Sequence, residues 1–172
     1  MAGIPAPCPA RHAGISLVEL VMVCAALAIV LATAAPDLQA LRQRQALVAA
    51  GNSLASGLHA TRSAAVTRGQ PARLCASVDG SVCAAAAAWS SGWRSYLDSE
   101  PATTLAHGSL PAGVIVSSSA GRLQVRYLPD GRSAGSNTTF TLCSGGRHWR
   151  QVVVNNAGRV RQTAVSDTPC PP

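Results

Sequence analysis

Two hydrophobic rhythms divide the chain. Residues 15–35, ISLVELVMVCAALAIVLATAA, are an unbroken apolar run of 21 residues in which Glu19 is the only charge. At about 1.5 Å per residue, a helix of this length crosses the hydrocarbon core of a bilayer. From Asp37 to about Arg68 there is no proline, and Leu47, Leu54, Leu58 and Ala65 recur at steps of seven, four and seven. That spacing marks one helical face. The helix is therefore expected to continue beyond the apolar run, with this stripe turned to a core and Arg42, Arg44 and Gln45 facing water or neighbouring subunits. Gly69 and Pro71 supply the stop. Gly51 and Gly57 each weaken the segment by about 1 kcal/mol relative to alanine, so local bending is expected there.

After Gly69 the rhythm shortens. Apolar or alternating runs at 71–77, 92–97, 112–117, 122–128, 138–143, 150–154 and 158–163 are separated by Gly, Pro, Ser and Asn, the pattern of a β-rich domain. Asp130-Gly131 and Asn155-Asn156-Ala157-Gly158 carry turn chemistry, because glycine and asparagine accept positive φ at little cost. The last two runs are expected to form a hairpin. Four segments result: residues 1–14 ahead of the apolar run, 15–36 as a transmembrane half-helix, 37–69 as its continuation, and 70–172 as a globular β-rich region. Trp89, Trp93, Tyr96, Tyr127 and Phe140 are read as the filling of a small core.

Of six cysteines, Cys8 lies before the apolar run and Cys24 within it. Cys75, Cys83, Cys143 and Cys170 follow a membrane-targeting segment, which implies two disulfides in an oxidising compartment, with three connectivities possible. We favour Cys75–Cys83, closing a short loop around Asp79-Gly80, and Cys143–Cys170, tying down a Pro-rich C-terminus that would otherwise fray. Loop entropy assigns them about 2.6 and about 3.6 kcal/mol. Zinc ligation is disfavoured, since the spacing has no C-x-x-C pair and no histidine adjoins these cysteines.

The stretch before the apolar run, MAGIPAPCPARHAG, is polar and carries Arg11 near its end, which places that side in the cytoplasm. An ordinary secretory signal is cut after its apolar region. Here the cleavage features lie before it: Gly14, then apolar Ile15, then Glu19 at the fifth position. Gly14-Ile15-Ser16-Leu17-Val18-Glu19 resembles the leader of type IV pilins and pseudopilins. The resemblance implies cleavage by prepilin peptidase between Gly14 and Ile15, with the helix retained in the inner membrane and the remaining domain in the periplasm. Pilins usually begin with phenylalanine, so Ile15 departs from the pattern and bears on N-methylation. An intramembrane carboxylate marks a functional site by default; the resemblance implies that Glu19 pairs with the new N-terminus of a neighbouring subunit during assembly. Pro36 falls where pilin helices commonly carry a kinking proline.

Further cues follow in order: Thr61-Arg62-Ser63-Ala64-Ala65, Leu74-Cys75, the W-x-x-G-W run from Trp89, Tyr127-Leu128-Pro129-Asp130-Gly131, and Phe140 to Cys143. Together they resemble the GspH/FimT family of minor pilins and pseudopilins. The implied fold is α+β and type IV pilin-like: a long N-terminal helix, membrane-spanning in its first half, packed on a small antiparallel β-rich domain. The implied partners are other pilins or pseudopilins in a filament.

Charge then narrows the function. All fourteen basic residues are arginine, against seven carboxylates, for a net charge of +7. From Gly121 onward seven arginines (122, 126, 132, 147, 150, 159 and 161) face two aspartates, an excess of five. Gly158-Arg159-Val160-Arg161 sets two guanidinium groups at i and i+2 of a strand, on one face and about 6.6 Å apart. Their planar forks suit phosphate oxygens, and no base-reading element accompanies them. The sequence is similar to the G-R-x-R motif of DNA-binding FimT-type pilins, which implies capture of double-stranded DNA in natural transformation by Gly158, Arg159 and Arg161, with Arg147 and Arg150 assisting. The alternative is a structural minor pilin, or a type II secretion pseudopilin, that primes filament assembly without touching DNA. An exposed edge strand also carries charge simply to resist aggregation.

No nucleotide-binding glycine loop, H-E-x-x-H or G-x-S-x-G is present, so neither catalysis, cofactor nor metal is expected. His59, His107 and His148 have no cysteine or carboxylate partner by spacing and are expected in solvent. Asn137-Thr138-Thr139 matches a glycosylation sequon.

The leader reading predicts that mass spectrometry of the mature protein finds Ile15 at the N-terminus. Gly14→Val should abolish processing, whereas Glu19→Ala should leave cleavage intact and impair incorporation into filaments. A mature chain beginning after residue 35 would overturn this reading.

Overall fold

The computed structural model describes residues 16–86, 88–133 and 135–171. Gly14 and Ile15, the expected cleavage site, lie outside them. Helical hydrogen bonding runs through α1, Leu17–Arg68, with Pro36 inside it. Its straight pieces are Leu17–Ala32 and Ala35–Arg68; no single helix among the described residues is long and apolar enough to cross a membrane, and the two pieces meet that test only together. Proline lacks the N–H that would bond the residue four positions back, which accounts for a break just ahead of Pro36.

Two compact units share the chain, Met1–Gln39 and Ala40–Pro172. In the first, every described side chain from Ser16 to Ala32 is exposed, Leu17 at 78% and Leu31 at 68% among them, and Glu19 is exposed with them. In the second, α1 ends as the sequence expects. Gly69 takes φ +62°, and Gln70 N donates to Ala65 O while Gly69 N donates to Val66 O. These bonds satisfy carbonyls that the helix end leaves open.

The rest of this unit is β1 (Ala72–Ala76), β2 (Gly92–Leu97), β3 (Ala106–Ser109), β4 (Val114–Ser118), a short 3₁₀ turn at Ser119–Gly121, β5 (Gln124–Tyr127), β6 (Thr138–Ser144), β7 (His148–Val154) and β8 (Val160–Gln162). They form two antiparallel four-stranded sheets, ordered β3-β2-β1-β5 and β4-β6-β7-β8. The final hairpin is β7–β8, with Val153 opposite Arg161. Strand β3 was not anticipated. Its sequence, Ala-His-Gly-Ser, has no apolar alternation to betray it, and it forms because β2 offers a partner edge.

The expected helical stripe is the core: Leu47, Leu54, Leu58 and Ala65 are all fully buried, and Leu74, Val125, Tyr127, Phe140, Leu142 and Val152 join them from both sheets. Trp89 meets Phe140 edge-on at 4.7 Å and donates Nε1–H to Arg122 O at 2.8 Å. Tyr127 is buried and its hydroxyl has no partner among the described residues; burial raises its pKa well above the usual tyrosine value. Tyr96 stays half-buried under Arg94, whose guanidinium lies 5.0 Å from the ring centroid.

The two helix glycines have packing duties that the sequence did not reveal. A Cβ on Gly57 would lie 2.7 Å from the Trp93 ring, and one on Gly108 of β3 would lie equally close on another side. Trp93 is thus wedged between helix and sheet, with Nε1 donating to Ser53 Oγ at 3.2 Å. A Cβ on Gly51 would press on the Arg150 guanidinium at 3.1 Å.

Gly57→Ala gains about 1 kcal/mol of helix propensity but overpacks a rigid indole at a cost of about 1–3 kcal/mol. The expected outcome is a net loss of thermal stability, measured by calorimetry or circular dichroism. Stabilisation would show that Trp93 is not held between these surfaces.

Candidate nucleic-acid interface

The turn between β7 and β8 is built by its own side chains and backbone. Asn155 Oδ1 accepts from Arg159 N at 2.9 Å; Asn155 N donates to Arg159 O, and Gly158 N donates to Asn155 O. Gly158 has φ +76°, and a Cβ there would overlap the carbonyl oxygen of Gly131. Glycine is required twice over, for the left-handed backbone and for the contact.

That contact joins two loops. Ser133 N donates to Asn156 O at 3.0 Å, and Ser133 Oγ to Asn155 O at 2.7 Å, so the loop carrying Asp130, Gly131 and Arg132 packs on the turn carrying Arg159. Beneath them lies half-buried Arg62 of α1: Cβ atoms added at Gly131 and Gly158 would come 3.1 and 3.3 Å from its Nε. Val160 turns inward against the core, which leaves Arg159 and Arg161 on the outward side, both exposed. Arg132 is exposed at the same corner. None of Arg62, Arg132, Arg159 and Arg161 is ion-paired with a described residue. Arg62 and Arg132 were not among the site residues expected from the sequence. The signal was present in the two glycine turns, which come together only in the folded chain.

The other arginines go elsewhere. Arg150 is corrected: it is 8% exposed on the inner side of β7, opposite Leu142. Its Nη2 donates to Thr163 O at 3.0 Å, its Nε has no partner among the described residues, and burial lowers its pKa. Period-two alternation with Val152 and Val154 pointed to this face. Arg147 is exposed, but it sits in the β6–β7 turn at the opposite end of β7, about 20–25 Å along the strand from Arg159. There Gly145 packs against Gln43 of α1. Arg126 shares Asp98 with Arg73, at 3.1 and 2.6 Å; the hydrogen bond to Asp98 raises the pKa of Arg73.

Disulfides join Cys75 to Cys83 and Cys143 to Cys170. In the first loop the Asp79 carboxylate accepts from Ser81 Oγ, Ser81 N and Val82 N, bonds that hold its pKa well below the usual range. The second bond ends a tail that bridges Trp149 through Ser166. In that tail Asp167 receives Arg44 at 2.7 Å and His148 Nδ1 at 2.8 Å. His148 is thereby corrected: it is an inward residue of β7, paired with a carboxylate 19 positions away, a separation at which no local spacing could reveal it. His59 and His107 are exposed, His107 on β3. Among the described residues no cluster of three or more potential metal ligands exists.

A helix carrying two small antiparallel sheets, with an exposed apolar first segment, defines a type IV pilin-like protein. The family model for type II transport protein GspH matches residues 50–158, more than half of the chain. The chain belongs to the GspH family of minor pilins and pseudopilins. The crystal structure of the type IV minor pilin FimU of Pseudomonas aeruginosa shares the fold, with 19% identity, a TM-score of 0.58, and coverage of 72% of this chain and 92% of FimU. The minor pseudopilin EpsH from the type 2 secretion system of Vibrio cholerae aligns with 15% identity and a TM-score of 0.49, over 66% of this chain and 93% of EpsH. Comparison with curated proteins gives no match.

Gly158→Ala is expected to lower stability by at least about 2 kcal/mol, because a left-handed alanine costs about 1–2 kcal/mol before its clash with Gly131 is counted. Denaturant melts would measure it. Gly69→Ala, where an added Cβ has open space, carries only the backbone cost and serves as the reference.

Proposed function

We propose that this protein is a minor type IV pilin that captures double-stranded DNA without sequence preference. Prepilin peptidase removes residues 1–14, residues 15–36 anchor the chain in the inner membrane, and the β-rich domain faces the periplasm before it joins a filament. The observation that carries the reading is the corner where the side chains of Arg159, Arg161 and Arg132 stand exposed and form no ion pair with a described residue. Three guanidinium groups on one corner, with Asp130 the one carboxylate in the adjoining loop, suit phosphate oxygens. Phosphate contacts orient a protein on a duplex and carry no base information. Several copies in a filament raise the effective concentration of weak sites.

A second reading, assembly priming in a pilus or a type II secretion system without DNA binding, is favoured by the description of the matching family as a type II transport protein. The exposed apolar segment from Leu17 to Leu31 suits packing against other subunits in either case.

Titration of a labelled duplex with the full chain in neutral detergent, followed by polarisation at several salt concentrations, separates the two. Each phosphate contact contributes about 0.9 to the slope of log affinity against log salt. Arg159→Gln with Arg161→Gln should flatten the slope by just under about two units and weaken all duplex sequences alike. Failure of the parent to bind at low salt would favour the assembly reading. Unchanged binding by a folded double variant would move the site elsewhere.

A further inference from the structure

Alternation along β4, β6 and β7 sends Val116, Phe140, Leu142 and Val152 into the core and turns Ser117, Thr139, Thr141 and Gln151 outward. Register aligns them: Ser117 is opposite Thr141, which is opposite Gln151, while Thr139 is opposite Val153, which is opposite Arg161. The row of hydroxyls and amide is therefore one pleat, about 6.6 Å, from the row that ends in Arg161. Three strand spacings, about 14 Å, separate β8 from β4.

This floor lies in an open groove of about 580 Å³, bounded by the Ser119–Ala120 turn and by Pro171. Both walls are fixed in place. Ser119 Oγ is 3.0 Å from Thr138 Oγ1 and accepts from Thr139 N at 3.0 Å. Ser118 Oγ donates to Arg122 O at 2.8 Å. Pro171 follows Cys170, which is bonded to Cys143 of β6. Ala120, at φ +54°, is the one described non-glycine residue with positive φ. The hydroxyls of Ser117, Thr139 and Thr141 and the carboxamide of Gln151 make no hydrogen bond to any described residue, although their neighbours Ser118, Ser119, Thr138 and Thr163 are all engaged. No charged side chain is among the described residues that line the groove.

We propose that this groove is the neutral continuation of the nucleic-acid path, an inference that rests on the DNA-binding reading. The phosphodiester backbone gripped by Arg159 and Arg161 continues over β7 and β6 towards β4. Its phosphate and sugar oxygens accept hydrogen bonds from Thr139, Thr141, Gln151 and Ser117. The arrangement divides the labour of binding: arginines at the β8 edge supply charge, and the hydroxyl row fixes the direction in which the backbone leaves them.

The test uses the different salt signatures of the two contact types. Neutral hydrogen bonds release no counterions, so losing them lowers affinity without changing the salt slope. With a labelled duplex and the full chain in neutral detergent, Ser117→Ala with Thr141→Val should weaken binding about tenfold at every salt concentration, the scale of two neutral hydrogen bonds. The slope should equal that of the parent, and Ser117→Ala with Thr141→Ser should recover part of the loss. Valine fits a strand, and circular dichroism melts verify that the fold persists. If the hydroxyl variant binds like the parent while the Arg159/Arg161 variant is weakened, the groove is not on the path and the DNA-binding reading stands. If the parent itself does not bind, both fail.

Discussion

Two four-stranded sheets of this size each have one face to hide, and both close on the same buried stripe of α1. Leu47, Leu54, Leu58 and Ala65 have no exposed surface, and the helix reaches both sheets through its glycines. Gly57 admits the Trp93 ring from one sheet, and Gly51 admits the Arg150 side chain from the other. Small sheets bury too little surface to be stable alone. The second half of the helix is thus the shared core on which the β-rich unit is assembled, and its poor intrinsic propensity at Gly51 and Gly57 is the consequence of close packing.

The candidate site inherits its geometry from that frame. α1 brings Arg62 beneath two loops that are distant in sequence, and Gly131 and Gly158 let their backbones touch above it. Arg132 and Arg159 share a corner for that reason, and neither loop needs a long-range ionic contact to hold it. The opposite end of the same sheet is organised differently. There the tail crosses to Cys143, and Asp167 gathers Arg44 and His148, so the chain end is tethered, while Arg147 in the adjoining turn stays exposed.

Arginine in this protein therefore has several fates, decided by surroundings. Arg73 and Arg126 bracket Asp98, Arg150 is buried with a backbone carbonyl, Arg94 lies over Tyr96, and the guanidinium groups of Arg132, Arg159 and Arg161 form no ion pair with a described residue. Net charge alone overstates the surface on which the proposed binding rests. For the proposed anionic partner, what matters is the set of exposed arginines gathered at one corner, beside a row of hydroxyls with no partner among the described residues.

The helical stripe, the helix stop at Gly69, the β-rich character after it and the inward aromatics were legible from sequence because each depends on local periodicity or local backbone preference. The alternation of Val160 between Arg159 and Arg161 was legible for the same reason. Strand β3 was not, since Ala106 to Ser109 is a strand only by virtue of the β2 edge. The positions of Arg150, Arg147 and His148 were likewise hidden, although alternation with Val152 and Val154 hinted at the first. Burial opposite Gly51, separation along β7 and pairing with Asp167 depend on contacts between residues far apart in the chain. Sequence determined which segments would be helix, strand and turn, because these follow from spacing of a few residues; tertiary structure alone decided which charges would be neutralised and which would face outward together, because that depends on what the folded chain brings opposite each one.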